Sequence, residues 1–268
     1  MKPYRIPEVH KDEVQRQTEQ MLADGVIQYS TNPWNSPILV VPKKTGASGK
    51  MKWRVVVDFR KLNGVTIGDS FPIPVISDVL NSLGNLKYFS TVDCANGYWQ
   101  IPVRVEDRLK TAFSTNYGHF EYKSMPFGLK GAPATFQRLM STVLSRMQGL
   151  KCLVYLDDII VFGETLQVHN DKLRDVFARL RMHNLKLQPN KCEFLRKEIT
   201  YLGHILTTKG LPPYFDKVKA VKDFPTPTNT CQLKGFLGLS RYYRRFIPNF
   251  SKIVKPLTEL LRKNTPFV

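Results

Sequence analysis

The chain has 268 residues, of which 42% are hydrophobic and 23% charged, a composition typical of a globular protein that excludes a disordered or membrane-spanning class. Forty Lys and Arg against 22 Asp and Glu give a formal net charge of +18. This charge favours a polyanionic partner, with nucleic acid ahead of an anionic membrane surface, and the length predicts two or three packed lobes.

The cysteine, histidine and terminal patterns add exclusions. The four cysteines are far apart, without the close pairs of zinc sites or small disulfide frameworks, and are interpreted as free thiols. The first residues are too polar for a signal peptide, and no apolar run approaches the ~18 residues of a membrane span. These features predict an intracellular protein without membrane association. The histidines show no metal-binding spacing: His10, His119, His169, His183 and His204.

The first predicted elements are a short amphipathic helix and a β-hairpin. Apolar residues recur at helical spacing over 11–24, and Gly25 ends the pattern. Two strand-like runs, 37–42 and 51–59, are joined by the turn-forming sequence TGASG and predict the hairpin. Arg54 and two neighbouring lysines alternate with apolar residues and so share one face. That face is either a solvated edge or a phosphate-binding surface, and the residues alone leave both open.

The middle of the chain predicts a mixture of helices and strands. A helix-like stretch at 76–83 leads into a strand over Tyr88–Asp93, and a second helix is predicted over 132–147. The run CLVYLDDIIVFG predicts two short strands with an acidic bend, followed by an amphipathic helix over 166–183. Because these elements do not alternate as regular βαβ units, the sequence predicts an α+β fold.

The segment from residue 209 to the end predicts a separate basic lobe. It holds twelve Lys or Arg against three Asp or Glu, about half of the net charge of the chain. Lys234, Arg241 and Arg245 fall on one face of a predicted helix, and five apolar residues, Leu233, Phe236, Leu237, Tyr243 and Phe246, fall on another. A charged stripe is usually a solvated face, but the scarcity of acids favours contact with a nucleic-acid backbone.

The acidic residues Asp157 and Asp158 lie inside the apolar run LVYLDDIIVF. They form either a hairpin turn with two solvated acids or a site for a divalent cation, since Mg²⁺ prefers carboxylate oxygens. Asp93, which ends the strand-like run STVD, adds a third acid. Two neighbouring strands would bring the three carboxylates together around two metal ions, an arrangement typical of phosphoryl transfer.

Seven sequence blocks, in one order, resemble the reverse transcriptases of gypsy-type LTR retrotransposons and their retroviral relatives. They are WNSPILVVPKK, KWRVVVDFRKLN, STVDCANGYWQI, KTAFSTNYGHFEYKSMPFGLKGAPATFQRLM, VYLDDIIVFG, NKCEFLRKEITYLGHIL and FLGLSRYYRRFIPNFSKIVKPL. The resemblance spans nearly the whole chain. It implies an RNA-directed and DNA-directed DNA polymerase that belongs to a retrotransposon Pol polyprotein and uses a two-metal mechanism.

The same resemblance implies a right-hand polymerase architecture. The implied segments are fingers at 1–68 and 101–131, palm at 69–100 and 132–208, and a basic, mainly helical thumb at 209–268. No RNase H, protease or integrase motif is present, so we expect a piece of a longer polyprotein or a chain cut to the polymerase. The implied partners are an RNA or DNA template with its primer strand and dNTP. A homodimer or association with other Pol domains, in a cytoplasmic particle or the nucleus, is left open.

Roles for individual residues follow from the resemblance. Asp93, Asp157 and Asp158 match the catalytic acids and, with Cys94, the ligands of two Mg²⁺ ions, for which Mn²⁺ is an in vitro substitute. Lys191 matches a general acid for departing pyrophosphate, with an ordinary surface lysine as the alternative. The residues matched to the incoming dNTP are Lys43, Lys44, Arg54, Cys94, Asn96, Gly97, Tyr98 and Phe127. Gly128 and Gln137 are matched to the template, Leu202 and Gly203 to the primer terminus, and Lys234, Arg241 and Arg245 are expected on the duplex backbone.

Two positions depart from the usual family residues, and two rival functions are weighed. Cys94 and Asn96 replace more common residues, but neither side chain is an implied ligand, so activity is not placed in doubt. Tyr98, implied to lie beneath the ribose 2′ position, argues against an RNA-dependent RNA polymerase. The presence of all three acids argues against a non-catalytic nucleic-acid-binding protein.

Overall fold

The computed structural model contains antiparallel sheets and helices in a mixed arrangement, which confirms the α+β prediction. It describes residues 3–43, 52–74, 86–202, 204–207, 221–242, 244, 247, 249–262 and 265–266. The strands are Ile27–Tyr29 (β1), Ile38–Lys43 (β2), Lys52–Val57 (β3), Tyr88–Asp93 (β4), Phe113–Thr115 (β5), Gly118–Tyr122 (β6), Cys152–Tyr155 (β7), Asp158–Gly163 (β8), Glu193–Arg196 (β9), Glu198–Tyr201 (β10) and His204–Thr207 (β11). The helices are Lys11–Ala23 (α1), Arg60–Val65 (α2), Val105–Arg108 (α3), Ala132–Val143 (α4), Leu166–Met182 (α5), Thr230–Tyr242 (α6) and Phe250–Glu259 (α7).

The predicted hairpin is confirmed as the antiparallel pair β2 and β3, in register from Ile38 opposite Val57 to Lys43 opposite Lys52. Helix α1 lies along it, since the Gln17 side chain donates to the carbonyl of Trp53 at 2.8 Å and accepts from the amide of Val55 at 3.0 Å. This amide side chain satisfies backbone groups of β3 that have no strand partner. The hairpin is thereby attached to the first helix.

The central element is a four-stranded antiparallel sheet in the order β7, β8, β4, β9. Strand β8 is apolar on both faces because both are covered. Ile159 and Val161 pack against α4 and α5, whereas Ile160 and Phe162 belong to a cluster with residues of β10 and β11. This double coverage explains the continuous apolar run in the sequence and fixes the ends of β4 and β8 relative to each other.

Two helix predictions hold and one is wrong at its end. Helices α1 and α5 have nearly the predicted bounds, and Gly25 follows α1 with φ +68°. Helix α4 ends at Val143 instead of continuing to 147, because Arg146 adopts a left-handed backbone with φ 66° and the Met147 carbonyl accepts amides that lead into β7. The helix predicted at 76–83 lies outside the described residues.

The basic C-terminal segment contributes α6 and α7. Leu233 on α6 is buried, while Lys234 and Arg241 are exposed, as the predicted stripes require. Tyr243, Arg245 and Phe246 lie outside the described residues.

The four cysteines are free thiols, as predicted. Within the described ranges, every helix is too short or too polar to cross a bilayer.

Candidate active site

Three acids share one end of the four-stranded sheet. Asp93, the last residue of β4, is paired with Asp158, the first residue of β8. Asp157 precedes it in the two-residue turn that joins β7 to β8. The amide of Cys94 donates to the carbonyl of Asp157 at 3.3 Å and so links this turn to β4. Two of the three acids, Asp93 and Asp158, therefore lie on adjacent strands as predicted, and Asp157 lies in the turn beside them.

The charges of these acids act on one another and on their neighbours. Burial, followed by the charges of Asp157 and Asp93, raises the pKa of Asp158 to about 6. Burial and the same acids raise the pKa of the Cys94 thiol to about 12. The thiol is 1% exposed, which leaves only the backbone of Cys94 for the implied metal contact.

Lys191 is the cation that faces this cluster. It is the last residue of a short 3-10 turn, Pro189–Lys191, before β9, and β9 pairs with β4, so the topology brings Lys191 beside Asp93. Its Nζ donates to Oδ1 and Oδ2 of Asp93 at 3.0 and 3.1 Å. Sequence reasoning left a surface lysine as the alternative. The structure brings the side chain, 62% exposed, into direct contact with a candidate catalytic acid.

The chemistry of this site fits a divalent cation. Asp93 is in contact with Lys191, and the pKa of Asp158 is raised first by burial and then by the charges of Asp157 and Asp93. Hard divalent ions offset such charge through oxygen ligands. Among the described residues, however, no three His, Cys, Asp or Glu side chains are close enough together to hold a metal ion. The Asp93 carboxylate contacts Lys191 instead.

An aromatic wall lies next to the acids. The ring of Tyr98 is 5.0 Å from that of Phe127 and 5.6 Å from that of Phe136, measured between centroids. Burial and the charge of Asp157 raise the pKa of Tyr98. A Cβ atom at the neighbouring Gly97 would lie 3.4 Å from the Cβ of Asp157, so this segment is close to the acidic turn. Phe127 remains 39% exposed, and its ring is tilted by 41° relative to that of Tyr98, so part of this aromatic cluster faces outward.

A cavity of about 630 Å³ opens beside this wall. It brings together Arg54, Asn96 and Phe127, three of the residues predicted to bind the nucleotide. Its other side is formed by α1, through residues such as Arg16 and Gln17, which sequence reasoning missed. The only available signal was the polar face of α1, where Glu13, Gln17 and Gln20 recur at helical spacing.

The predicted template residues occupy different environments. Gly128 is exposed with φ +94°, and its carbonyl accepts from the Asn63 side chain at 2.8 Å. The expectation for Gln137 is wrong, because its side chain is 1% exposed and lies in the core, where a template strand cannot reach it. Gly97, which was predicted for the nucleotide site, is also buried. A Cβ atom at this position would lie 3.0 Å from the Phe136 ring.

The remaining predicted residues are only partly placed. Leu202 adopts φ 50° in the turn between β10 and β11. Lys43 belongs to β2, but its side chain is not described, and Lys44, Gly203 and Arg245 lie outside the described residues.

Arg241 lines a second cavity of about 450 Å³ between α6 and α7, together with Arg244 and Lys255. This basic cleft was not predicted as a unit.

Comparisons with known proteins show the family of the chain. Residues 41–206, well over half of the chain, match the family described as reverse transcriptase (RNA-dependent DNA polymerase). The chain therefore belongs to the reverse transcriptase family. It is 50% identical over 264 residues to the retrovirus-related Pol polyprotein from transposon 297 of Drosophila melanogaster, covering 98% of this chain and 25% of the relative. The Pol polyprotein from transposon gypsy of the same organism is 41% identical, with 94% of this chain and 24% of the relative covered.

Solved structures of viral enzymes have the same fold. A foamy viral protease-reverse transcriptase in complex with double-stranded DNA matches with a TM-score of 0.83 and 31% identity, covering 97% of this chain and 45% of that chain. The foamy viral protein in complex with an RNA/DNA hybrid matches with a TM-score of 0.77 and 30% identity, covering 97% and 34%. The chain spans about a quarter of the length of the curated relatives it matches.

Proposed function

We propose that this chain is the polymerase part of a retrotransposon Pol polyprotein and transfers nucleotides from dNTP to a primer 3′-hydroxyl under the direction of an RNA or DNA template. The observation that carries the proposal is the pairing of Asp93 with Asp158, beside Asp157, in a chain of the reverse transcriptase family. The complexes of the foamy viral enzymes with double-stranded DNA and RNA/DNA hybrid support a primer-template duplex as the partner.

The acids and their neighbours have separate tasks in this mechanism. Asp93, Asp157 and Asp158 would hold two Mg²⁺ ions, which lower the pKa of the attacking hydroxyl and stabilise charge on the phosphates. Arg54, which lines the cavity, would bind the triphosphate. Lys191, in contact with Asp93, is a proton donor at the acidic end of the sheet for the departing pyrophosphate. Positioning and charge neutralisation account for most of the rate enhancement.

The sugar of the incoming nucleotide would lie on the aromatic wall. The rings of Tyr98 and Phe127 are in contact, with their centroids 5.0 Å apart, and Tyr98 lies five residues after Asp93 in the chain. The 2′ carbon of a deoxyribose is an apolar methylene that would pack against the Tyr98 ring, whereas a ribose would bring a 2′-hydroxyl against it. This arrangement favours a DNA-making over an RNA-making polymerase.

The architecture we propose is that of a right hand. The hairpin of β2 and β3, with the sheet of β1, β5 and β6, would belong to the fingers, at 1–68 and 101–131. The four-stranded sheet with α4 and α5 would form the palm, at 69–100 and 132–208. The basic helices α6 and α7 would belong to the thumb, at 209–268, where the cations of their cleft are suited to backbone phosphates.

Primer extension tests the proposed function directly. The protein is incubated with oligo(dT) annealed to poly(rA), dTTP and either Mg²⁺ or Mn²⁺, with a poly(dA) template in parallel. We expect extension on both templates and none without the divalent ion. Soluble protein that binds the duplex but extends the primer in neither metal would contradict the proposal and favour a non-catalytic nucleic-acid-binding protein.

A further inference from the structure

Gln137 is a polar side chain in the hydrophobic core beneath the acidic turn. It lies on α4 between Phe136 and Met140, which are both fully buried, and is itself 1% exposed. Its Oε1 accepts a hydrogen bond of 2.8 Å from the backbone amide of Leu156. Its Nε2 has no hydrogen-bond partner among the described residues. A buried donor without a partner lowers the stability of the fold. The favourable contribution of this side-chain amide is therefore its hydrogen bond with Leu156.

The residue that Gln137 contacts has an unusual backbone conformation. Leu156 adopts φ 55°, in the left-handed region, at the first position of the two-residue turn before β8. Two-residue hairpin turns require a positive φ at this position and normally use Gly, Asn or Asp. Leucine has no intrinsic preference for it, because its Cβ crowds the backbone. The turn therefore depends on a contact from outside its own sequence.

We propose that Gln137 is a positioning residue that holds the turn 156–157 in the conformation that presents Asp157 beside Asp93 and Asp158. Its amide oxygen fixes the Leu156 amide, and Leu156 immediately precedes the candidate catalytic acid. The inference rests on the proposed function for its catalytic consequence, but the contact itself does not. It assigns Gln137 to the support of the acids in place of the template contact expected from sequence.

Replacing the amide by a side chain of similar length without an acceptor is the first test. In Gln137→Met we expect turnover in primer extension to fall by about tenfold or more, because small misplacement of a reacting group is costly. The KM for dNTP and the Kd for primer-template should stay within about twofold, since no substrate contact is lost. Val143→Ala, on the same buried face of α4 but away from the turn, is the matched control and should lower the Tm with little change in turnover.

A local readout separates positioning from general stability. Hydrogen exchange of the Leu156 amide should accelerate at least about tenfold in Gln137→Met and stay protected in Val143→Ala, because only the first change removes its acceptor. This measurement does not require catalysis. If the wild type fails to extend primers while the exchange result holds, the proposed function is wrong and the structural contact stands.

The decisive experiment combines Gln137→Met with Leu156→Asn. Asparagine tolerates a positive φ, so the turn should need less support, and the loss of turnover caused by Gln137→Met should shrink by about threefold or more in this background. An equal loss in both backgrounds would overturn the proposal. So would a Gln137→Met protein with normal turnover, or one whose main defect is weaker binding of the template strand.

Discussion

The carboxylates at the end of β4 and β8 are costly to the folded protein without a cation. Asp158 is partly buried, and its pKa is raised to about 6 by burial and by Asp157 and Asp93. The pKa of Asp158 is therefore higher in the folded than in the unfolded state. Its protonation stabilises the fold fully below the unfolded-state pKa, and this stability is lost as the pH rises through about 6. At neutral pH the cluster is therefore repulsive, which is the expected cost of a site that binds divalent ions.

Asp157→Asn should separate chemistry from binding. We expect extension to fall by about 10³-fold or more, because a metal ligand is lost, while primer-template affinity changes by less than about twofold, because backbone cations hold the duplex. Asp175→Asn, which removes a carboxylate from the surface ion pair with Lys151, is the matched control and should extend normally. Rates are measured by single-turnover extension and affinity by fluorescence anisotropy. Near-normal extension by Asp157→Asn would rule out its role as a ligand.

Tyr98→Val tests the steric selection of deoxyribose. We expect kcat/KM for rNTP to rise at least about tenfold relative to dNTP of the same base, because the ring is removed from beneath the sugar. Phe177→Val is the control, since Phe177 packs against the same core cluster but contacts Phe194 instead of the aromatic wall. Equal losses on both substrates in Tyr98→Val would return the tyrosine to a purely structural role.

At the scale of elements, the cleft between α6 and α7 is suited to backbone phosphates. Arg241, Arg244 and Lys255 come from two helices or their connection and line one cavity of about 450 Å³. The observation therefore extends the predicted basic stripe into a surface with a definite shape.

Replacing Arg241, Arg244 and Lys255 together by Gln should make duplex binding less dependent on salt. Each lost phosphate contact releases about one counterion fewer, so the slope of log K against log salt should flatten by about 2 to 3. A control protein with Arg174, Arg179 and Arg181 of α5 changed to Gln loses the same formal charge and should keep a slope close to that of the wild type. Equal flattening in both proteins would indicate a general charge effect without a defined contact.

At the scale of the whole molecule, His169 connects α5 to the central sheet. Its Nε2 is 3.1 Å from the Ser90 hydroxyl of β4, and that hydroxyl accepts the Leu195 amide of β9. The helix approaches so closely that a side chain at Gly163 would come within 2.8 Å of the His169 backbone. Both His169 and Ser90 are fully buried, and burial favours the neutral form of the imidazole that joins the helix, the central strand and the edge strand.

Stability should accordingly decrease in mild acid. Burial lowers the pKa of His169, so between this value and the unfolded-state value of about 6.5 the unfolded chain binds more protons. The stability due to His169 is present above about pH 6.5 and is lost as the pH falls through the folded-state pKa. His169→Gln keeps an acceptor for Ser90 but does not titrate, so its free energy of unfolding should vary less between pH 7.5 and 5.5.

The control for this prediction is His183→Gln, which removes an exposed histidine at the end of α5. Its denaturation profiles should follow the wild type at each pH. If His169→Gln and the wild type lose stability in parallel, another group governs the acid response and the buried imidazole is not responsible.

Local patterns in the sequence were sufficient for many elements. The periodicity of α1 and α5 and the apolar runs of β4, β7 and β8 are set by neighbouring residues and their burial, so they could be predicted from the sequence. The acids of the candidate site were found for the same reason, since charged residues in an apolar strand are conspicuous. The early end of α4 could not be predicted, because it depends on the left-handed backbone of Arg146.

What the sequence determined by itself is the hairpin of β2 and β3, strands β4, β7 and β8, helices α1 and α5, the three acids and the family, because these depend on residue type and order. Tertiary structure alone decided that Lys191 contacts Asp93, that α1 closes the cavity beside Arg54, and that Gln137 supports Leu156 instead of facing the template. Each of these contacts joins residues far apart in the chain. Such contacts depend on which strands pair and which helix faces are buried, and a local pattern does not encode either.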